Sequence, residues 1–189
     1  MNQKIILASK SPRRREILNL LRIPYSVVTI DGIDESYPAD MPAENVSEYI
    51  SGKKADEFLK KAGDNEIIIT ADTVVICNGK ILGKPKDAEG AMEMLRFLSG
   101  KTHKVTTGVT VANRRKRVSF TTETLVTFAN LTDEEIRYYV DTFHPFDKAG
   151  AYGIQEWIGA VAVAKIDGSF YNVMGLPVHR LHQVLKQFK

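Results

Sequence analysis

Ten residues constrain this chain more than any others: Ile67-Ile68-Ile69-Thr70-Ala71-Asp72-Thr73-Val74-Val75-Ile76. They form its most apolar stretch, and β-branched side chains dominate it. A run of this kind reads as a central strand, passing into another, in a sheet buried on both faces. Asp72 interrupts it. A carboxylate in such surroundings is costly unless it is paired, hydrogen-bonded or bound to a metal. Otherwise it ends the strand by bonding to nearby N–H groups. Strand ends in α/β folds are also where ligands bind.

A second strand, Ile5-Ile6-Leu7, leads into the polar corner Ser9-Lys10-Ser11-Pro12. Ser11 suits an N-cap and Pro12 the first helical position. Ile17, Leu18 and Leu21 give the helix its apolar stripe. Its first turn carries Arg13-Arg14-Arg15, three cations at the positive end of a helix dipole. Either this is a solvated basic turn, or it holds an anion such as phosphate, which helix N-termini bind readily.

Tyr25 to Ile30 reads as a strand running into Asp31-Gly32-Ile33-Asp34-Glu35, a turn with three carboxylates. Such a turn is either solvated or holds Mg²⁺ or Mn²⁺. The next helix runs from Pro42 to about Ala62. Val46, Ile50, Lys54 and Phe58 follow one another at i+4 spacing on it, so Lys54 lies on an otherwise apolar stripe. It either snorkels or meets a buried anion. Lys53 lies in line with Tyr49 and Glu57, and periodicity does not choose between the two lysines.

Asn78-Gly79 signals a hairpin, and Gly83-Lys84-Pro85 places another lysine just past its return strand. Asp87 caps a helix to Leu98. Val105 to Ala112 and Val118 to Phe128 read as strands joined by a basic loop, Asn113 to Arg117. Thr132 and Glu135 make a capping box for a helix to about Thr142. Asp147 to Gln155 is rich in small residues, a backbone able to approach a ligand closely. Tyr152 and Gln155 in it are candidates to stack on and hydrogen-bond a planar base, unless the segment is an ordinary loop. Ile158 to Ile166 reads as a strand, Phe170 to Val173 as another, and Val178 to Phe188 as the last helix. Hairpins mixed with crossovers argue for an α/β fold with a mixed, twisted sheet and flanking helices.

At 189 residues with net charge +3, the chain suits one domain, or one domain of two lobes, and a phosphate-bearing ligand. One cysteine, Cys77, excludes an internal disulfide framework and a Cys-based zinc site. The start, Met1 to Lys4 before three apolar residues, is too short for a secretory leader. No run reaches the roughly 18 apolar residues of a membrane span. A soluble, cytoplasmic protein is expected. No G-x-x-x-x-G-K-[ST] occurs, which excludes the phosphate-loop motif.

Four segments, in this order and spacing, resemble the Maf family of nucleoside triphosphate pyrophosphatases: Ala8-Ser9-Lys10-Ser11-Pro12-Arg13-Arg14, Ala71-Asp72-Thr73, Gly83-Lys84-Pro85 and Lys148-Ala149-Gly150-Ala151-Tyr152-Gly153-Ile154-Gln155. The resemblance covers essentially the whole chain. It implies a single domain, residues 1–189, with an elongated fold of two lobes around a central cleft, related to the inosine triphosphate pyrophosphatases. It implies hydrolysis of a nucleoside triphosphate to the monophosphate and pyrophosphate with Mg²⁺ or Mn²⁺, clearing modified or non-standard nucleotides.

Ser-Pro-Arg-Arg, Ala-Asp-Thr and Gly-Ile-Gln are similar to the branch acting on dTTP and UTP, not the one acting on 7-methyl-GTP. By that match Asp72 is the catalytic acid–base, and Arg13, Thr73 and Gln155 are specificity positions. Arg14, Lys54, Lys84 and Glu35 contribute to activity, with Glu35 and Asp72 as metal ligands. The match selects Lys54 over Lys53. The family includes dimers, and its name comes from a role in septum formation, which would require a protein partner. A nucleic-acid-binding module would leave Asp72 and Glu35 unexplained. One departure stands out: Glu156-Trp157-Ile158 intervenes before Gly159, where the family commonly has Gly directly after the glutamine. It bears on base preference rather than on the phosphate-handling residues.

Overall fold

A computed structural model describes residues 3–188. Met1 and Asn2, where the argument against a leader begins, lie outside them. In chain order the elements are β1 (Lys4–Ala8), α1 (Pro12–Asn19), β2 (Tyr25–Val28), α2 (Ala43–Leu59), β3 (Glu66–Cys77), β4 (Lys80–Leu82), α3 (Ala88–Leu98), β5 (Thr102–Ala112), β6 (Arg117–Phe128), α4 (Asp133–Phe143), α5 (Trp157–Ala162), β7 (Val163–Asp167), α6 (Phe170–Met174) and α7 (Val178–Leu185). The sheet order is β2-β1-β3-β5-β6-β7, with β4 also on β3. β1 runs parallel to β2 and β3, pairing Ile5 with Tyr25 and with Ile67. β4 and β7 are antiparallel to β3 and β6. The sheet is therefore mixed, as the alternation of hairpins and crossovers predicts.

The apolar stretch is one unbroken strand of twelve residues rather than one strand passing into another. Asp72 lies inside it and does not end it. Its carboxylate is satisfied by a side chain, so the backbone ladder has no reason to stop there. At the strand's end, Asn78 and Gly79 both have left-handed φ, 50° and 74°, as a tight hairpin turn requires.

Two sequence expectations fail near the C-terminus. Ile158 to Ala162 is helical, and only Val163 onward is strand. Ile158 and Ala162 are four residues apart, and both are buried, which is helical rather than alternating periodicity. Gly159 permits it: a Cβ there would fall 1.7 Å from the Ile154 carbonyl oxygen. Phe170 to Met174 is likewise a helical turn, not a strand. It buries Asn172, whose amide donates to the Val105 carbonyl at 3.1 Å and to Thr124 Oγ1 at 3.0 Å. These partners are long-range, so local patterning does not reveal the turn.

The chain divides into two compact units. Of the described residues, the first comprises 3–72, 107–122 and 175–188. Ile6, Ala8 and Ile68 of its strands pack there with Phe58 and Ala62. Its basic loop between β5 and β6 is anchored: Arg114 pairs with Asp64 at 2.9 Å, Arg117 with Asp56 at 2.6 Å, and Lys116 donates to the Gln187 carbonyl at 2.9 Å. The second unit comprises residues 73–106 and 123–174. Leu95 and Leu98 of α3, Ile136 and Tyr139 of α4, Phe128 and Ile158 are in its core. Thr132 and Glu135 form the expected capping box on α4.

Candidate active site

The first unit assembles most of the polar residues singled out in the sequence. At the β1–α1 corner, Ser9 Oγ accepts from the Ser11 N–H at 3.2 Å, and Ser11 Oγ caps α1 by accepting from the Arg14 N–H at 3.4 Å. The helix offers no acid in its first turn to offset its arginines. Arg14 is half-buried, and its Nε donates to the Gly175 carbonyl at 2.8 Å. Burial pushes the Arg14 guanidinium below its ordinary value. Asp72 and Glu35 oppose that shift and Arg13 adds to it, so all four charges share one neighbourhood.

On α2, Val46, Ile50 and Phe58 are buried as the stripe predicts. Lys54 does not snorkel. Its side chain is 14% exposed, and its ammonium donates to Asp72 Oδ1 at 2.8 Å and pairs with Glu35 Oε1 at 2.9 Å. Burial pushes the Asp72 carboxyl above its ordinary value, Lys54 and Arg14 draw it down, and Glu35 raises it further. Lys54 is the principal cation opposing the effect of burial on Asp72 within the strand.

Lys53, which the family resemblance set aside, holds the same loop from the other side. Its ammonium donates to Asp34 Oδ2 at 2.7 Å and to the Ser36 carbonyl at 2.8 Å. Asp34 also accepts from the Ser36 N–H at 2.9 Å and from its hydroxyl at 2.7 Å. Adjacent lysines thus grip consecutive acids, Lys53 on Asp34 and Lys54 on Glu35. The residues in line with Lys53 on α2, Tyr49 and Glu57, gave no hint of this.

Glu35 and Asp72, joined through one ammonium, are hard oxygen donors of the kind that hold Mg²⁺ or Mn²⁺ through one or two carboxylates with substrate phosphates and waters. Among the described residues no group of three or more metal-ligating side chains occurs.

The second unit holds the other predicted residues. Thr73 follows Asp72 on β3 and is half-buried. Lys84 is exposed past β4. Its loop is tied to the Lys148–Gln155 segment, because the Gly150 N–H donates to the Gly83 carbonyl at 3.1 Å. Gln155 is exposed, on a turn whose preceding residues are buried.

Tyr152 departs from its expected role. It is only 6% exposed, bonded to His103 Nε2 at 2.7 Å and packed edge-on against Phe128. It therefore supports the core and is not available to stack on a base. Glu156 is no stray charge either: it accepts from the Tyr139 hydroxyl and pairs with Lys148 at 3.1 Å. Trp157 packs edge-on against Tyr138.

The Maf-like protein family model matches residues 4–188. The chain belongs to the Maf family. It is 53% identical to the dTTP/UTP pyrophosphatase of Bacteroides thetaiotaomicron, over 97% of this chain and 95% of that one. It is 52% identical to the dTTP/UTP pyrophosphatase of Porphyromonas gingivalis, over 98% and 94%. The Christiangramia forsetii protein of the same name is 43% identical, over 98% and 94%. Among solved structures, this Maf chain resembles the Staphylococcus aureus Ham1 protein, with a TM-score of 0.58 and 16% identity over 99% of this chain and 100% of that one. A Coxiella burnetii HAM1 protein gives a TM-score of 0.50 at 16% identity over 98% and 99%. At that identity the likeness concerns the fold alone, and it agrees with the mixed α/β architecture.

Proposed function

We propose that this Maf protein hydrolyses dTTP and UTP to the monophosphate and pyrophosphate. The observation that carries the reading is Lys54 bridging Asp72 and Glu35 beside Arg14, a concentrated set of acids and cations suited to a polyphosphate. The names of relatives about half identical over nearly the full length supply the substrate class.

Water attacks the α-phosphorus. The bond from water oxygen to phosphorus forms, the bond to the bridging oxygen breaks, and pyrophosphate leaves. Arg13, Arg14 and Lys54 neutralise the triphosphate and the charge that develops on it, and the family resemblance gives Lys84 a part in activity. Asp72 orients the attacking water or accepts its proton, and as a metal ligand, which makes a poor base, it serves chiefly to orient. Lys54 draws the Asp72 carboxyl down against burial, which on balance holds it above its ordinary value. Glu35 and Asp72 would hold Mg²⁺ or Mn²⁺, which when bound supplies Lewis-acid stabilisation of phosphate oxygens. Thr73 and Gln155 select the base, and Arg13 is the further specificity position the family resemblance gives.

Among the described residues no helix is long and apolar enough to cross a membrane. The reading includes a cytoplasmic location, where nucleotide substrates are held, removal of modified nucleotides as the purpose, and a homodimer as an assembly the family allows. Its test is pyrophosphate release from dTTP, UTP, CTP, GTP, ATP and 7-methyl-GTP with Mg²⁺ or Mn²⁺. Release from dTTP and UTP above the rest supports it. Release chiefly from another nucleotide replaces the base preference. No release from any replaces the enzyme with a regulator that works through a protein partner.

A further inference from the structure

Gln155 is an exposed amide on a buried and tightly bonded base. Ile154 before it is 5% exposed, and the Gly153 backbone is fixed at both of its polar groups. Its N–H donates to the Tyr139 hydroxyl at 3.0 Å, and its carbonyl accepts from the Glu156 N–H at 3.0 Å. The same Tyr139 hydroxyl donates to Glu156 Oε2. The other Glu156 oxygen lies 3.1 Å from the ammonium of Lys148, which also donates to Asp147 Oδ1 at 2.8 Å. The Lys148 and Glu156 side chains are only 9% and 19% exposed. A Cβ on Gly153 would fall 2.8 Å from Glu156 Cδ and 3.0 Å from Gln155 Nε2, so both side chains lie over the glycine.

A buried ion pair is a poor way to gain stability. An apolar set of the same volume would serve at least as well, and such pairs are best attested where they fix one conformation among several. Here every member of the network bonds to a neighbour, and the part it fixes is the turn at residues 153–155.

We propose that Tyr139, Glu156 and Lys148 are positioning residues that set the Gln155 amide for reading the nucleotide base, and so govern substrate choice without touching the substrate. This rests on Gln155 being a base reader of the pyrophosphatase described above. Glu156, which looks like an intrusive charge in the sequence, is the centre of the device: it accepts the hydrogen bond of the Tyr139 hydroxyl on one oxygen and pairs with the Lys148 ammonium on the other.

The test is Tyr139→Phe. This variant keeps the ring that stacks on Phe143 at 5.1 Å and removes only the hydroxyl. The kcat and KM are measured for dTTP and dCTP, which share a sugar and differ at the hydrogen-bonding edge of the base. The dTTP-to-dCTP ratio of kcat/KM is expected to fall by about tenfold or more, mainly through KM for dTTP, as expected when a polar reader is mis-set. Amide exchange of the segment 153–156 is expected to accelerate while that of residues 5–21 stays unchanged. Glu156→Gln, which still accepts from Tyr139, is expected to retain more selectivity than Glu156→Ala. This pair carries the same readout if Tyr139→Phe does not fold.

A ratio within about twofold of wild type in a folded variant overturns the proposal, as does a parallel fall in kcat for both nucleotides with KM unchanged. Wild-type protein that releases no pyrophosphate from either nucleotide overturns the pyrophosphatase reading itself, and the proposal falls with it. The two failures are thereby told apart.

Discussion

The Lys54 ammonium lies 2.8 Å from Asp72 Oδ1 and 2.9 Å from Glu35 Oε1, so one cation holds both acids of the site. This contact joins α2, the acidic turn after β2 and the middle of β3 at one point. It also explains why a carboxylate persists in the most apolar strand of the chain.

Removing that cation should damage both rate and stability. Lys54→Met is expected to lower kcat by at least about 10²-fold, as loss of a charged stabiliser in a desolvated site does. It should also cost roughly 3 kcal/mol of stability by leaving Asp72 without its main counter-ion. Urea denaturation and pyrophosphate release measure the two effects. The double variant Lys54→Met/Asp72→Asn should recover part of the lost stability but none of the rate, because neighbouring charges are not additive. A double variant less stable than Lys54→Met would contradict this coupling.

Lys53 is expected to act on the metal and not on stability. Its partner Asp34 is 68% exposed, where an ion pair adds little to folding. The pair does, however, fix the loop that carries Glu35. In Lys53→Met the Mg²⁺ or Mn²⁺ concentration for half-maximal rate should rise about threefold or more, with kcat at saturating metal nearly unchanged. Direct Mn²⁺ binding measured without nucleotide should weaken in parallel. Unchanged metal affinity would remove Lys53 from this role.

Much of this site is legible in the sequence. Asp72 announces itself as a carboxylate in an apolar strand, Lys54 as a cation on an apolar stripe, and Arg13 to Arg15 as cations at the wrong end of a helix. Each breaks a local rule, and breaches of that kind mark functional positions. What the sequence does not disclose is partnership. Nothing local links Lys53 to Asp34, Glu156 to Tyr139, or Tyr152 to His103, which are 19, 17 and 49 residues apart. The fold is readable where hydrophobic periodicity is long and capped, as in α3 and α4. It is misread in residues 158–162, where five small or apolar residues suit strand or helix equally. There the decision falls to a tertiary contact, the seat of Gly159 against the Ile154 carbonyl.

That seat makes Gly159 intolerant. A Cβ 1.7 Å from a backbone oxygen cannot be relieved by a rotamer change. Gly159→Ala should therefore cost about 2 kcal/mol or more in urea denaturation, with faster amide exchange in the 153–163 segment. Wild-type stability in this variant would mean that the short helix α5 has an alternative packing.

His103 should make stability depend on pH. It is buried, and desolvation pushes its pKa from 6.5 down to about 4. The unfolded chain takes up a proton near 6.5 while the folded chain resists until about 4. Stability is thus fully present above that window and falls as pH drops through it, by about 3 kcal/mol in all and about 2 kcal/mol by pH 5. In His103→Phe, which keeps an aromatic ring beside Phe128, most of the loss between pH 7 and pH 5 should disappear. An equal loss in both proteins would show that other groups set the acid limb.

The most direct test of the account is pyrophosphate release from dTTP and UTP by wild type and Asp72→Asn, with folding of both checked by thermal denaturation. Wild type should release pyrophosphate rapidly, and the folded variant should lose at least about 10²-fold in kcat. A variant near the wild-type rate would contradict the role assigned to Asp72, and with it the site built around Lys54.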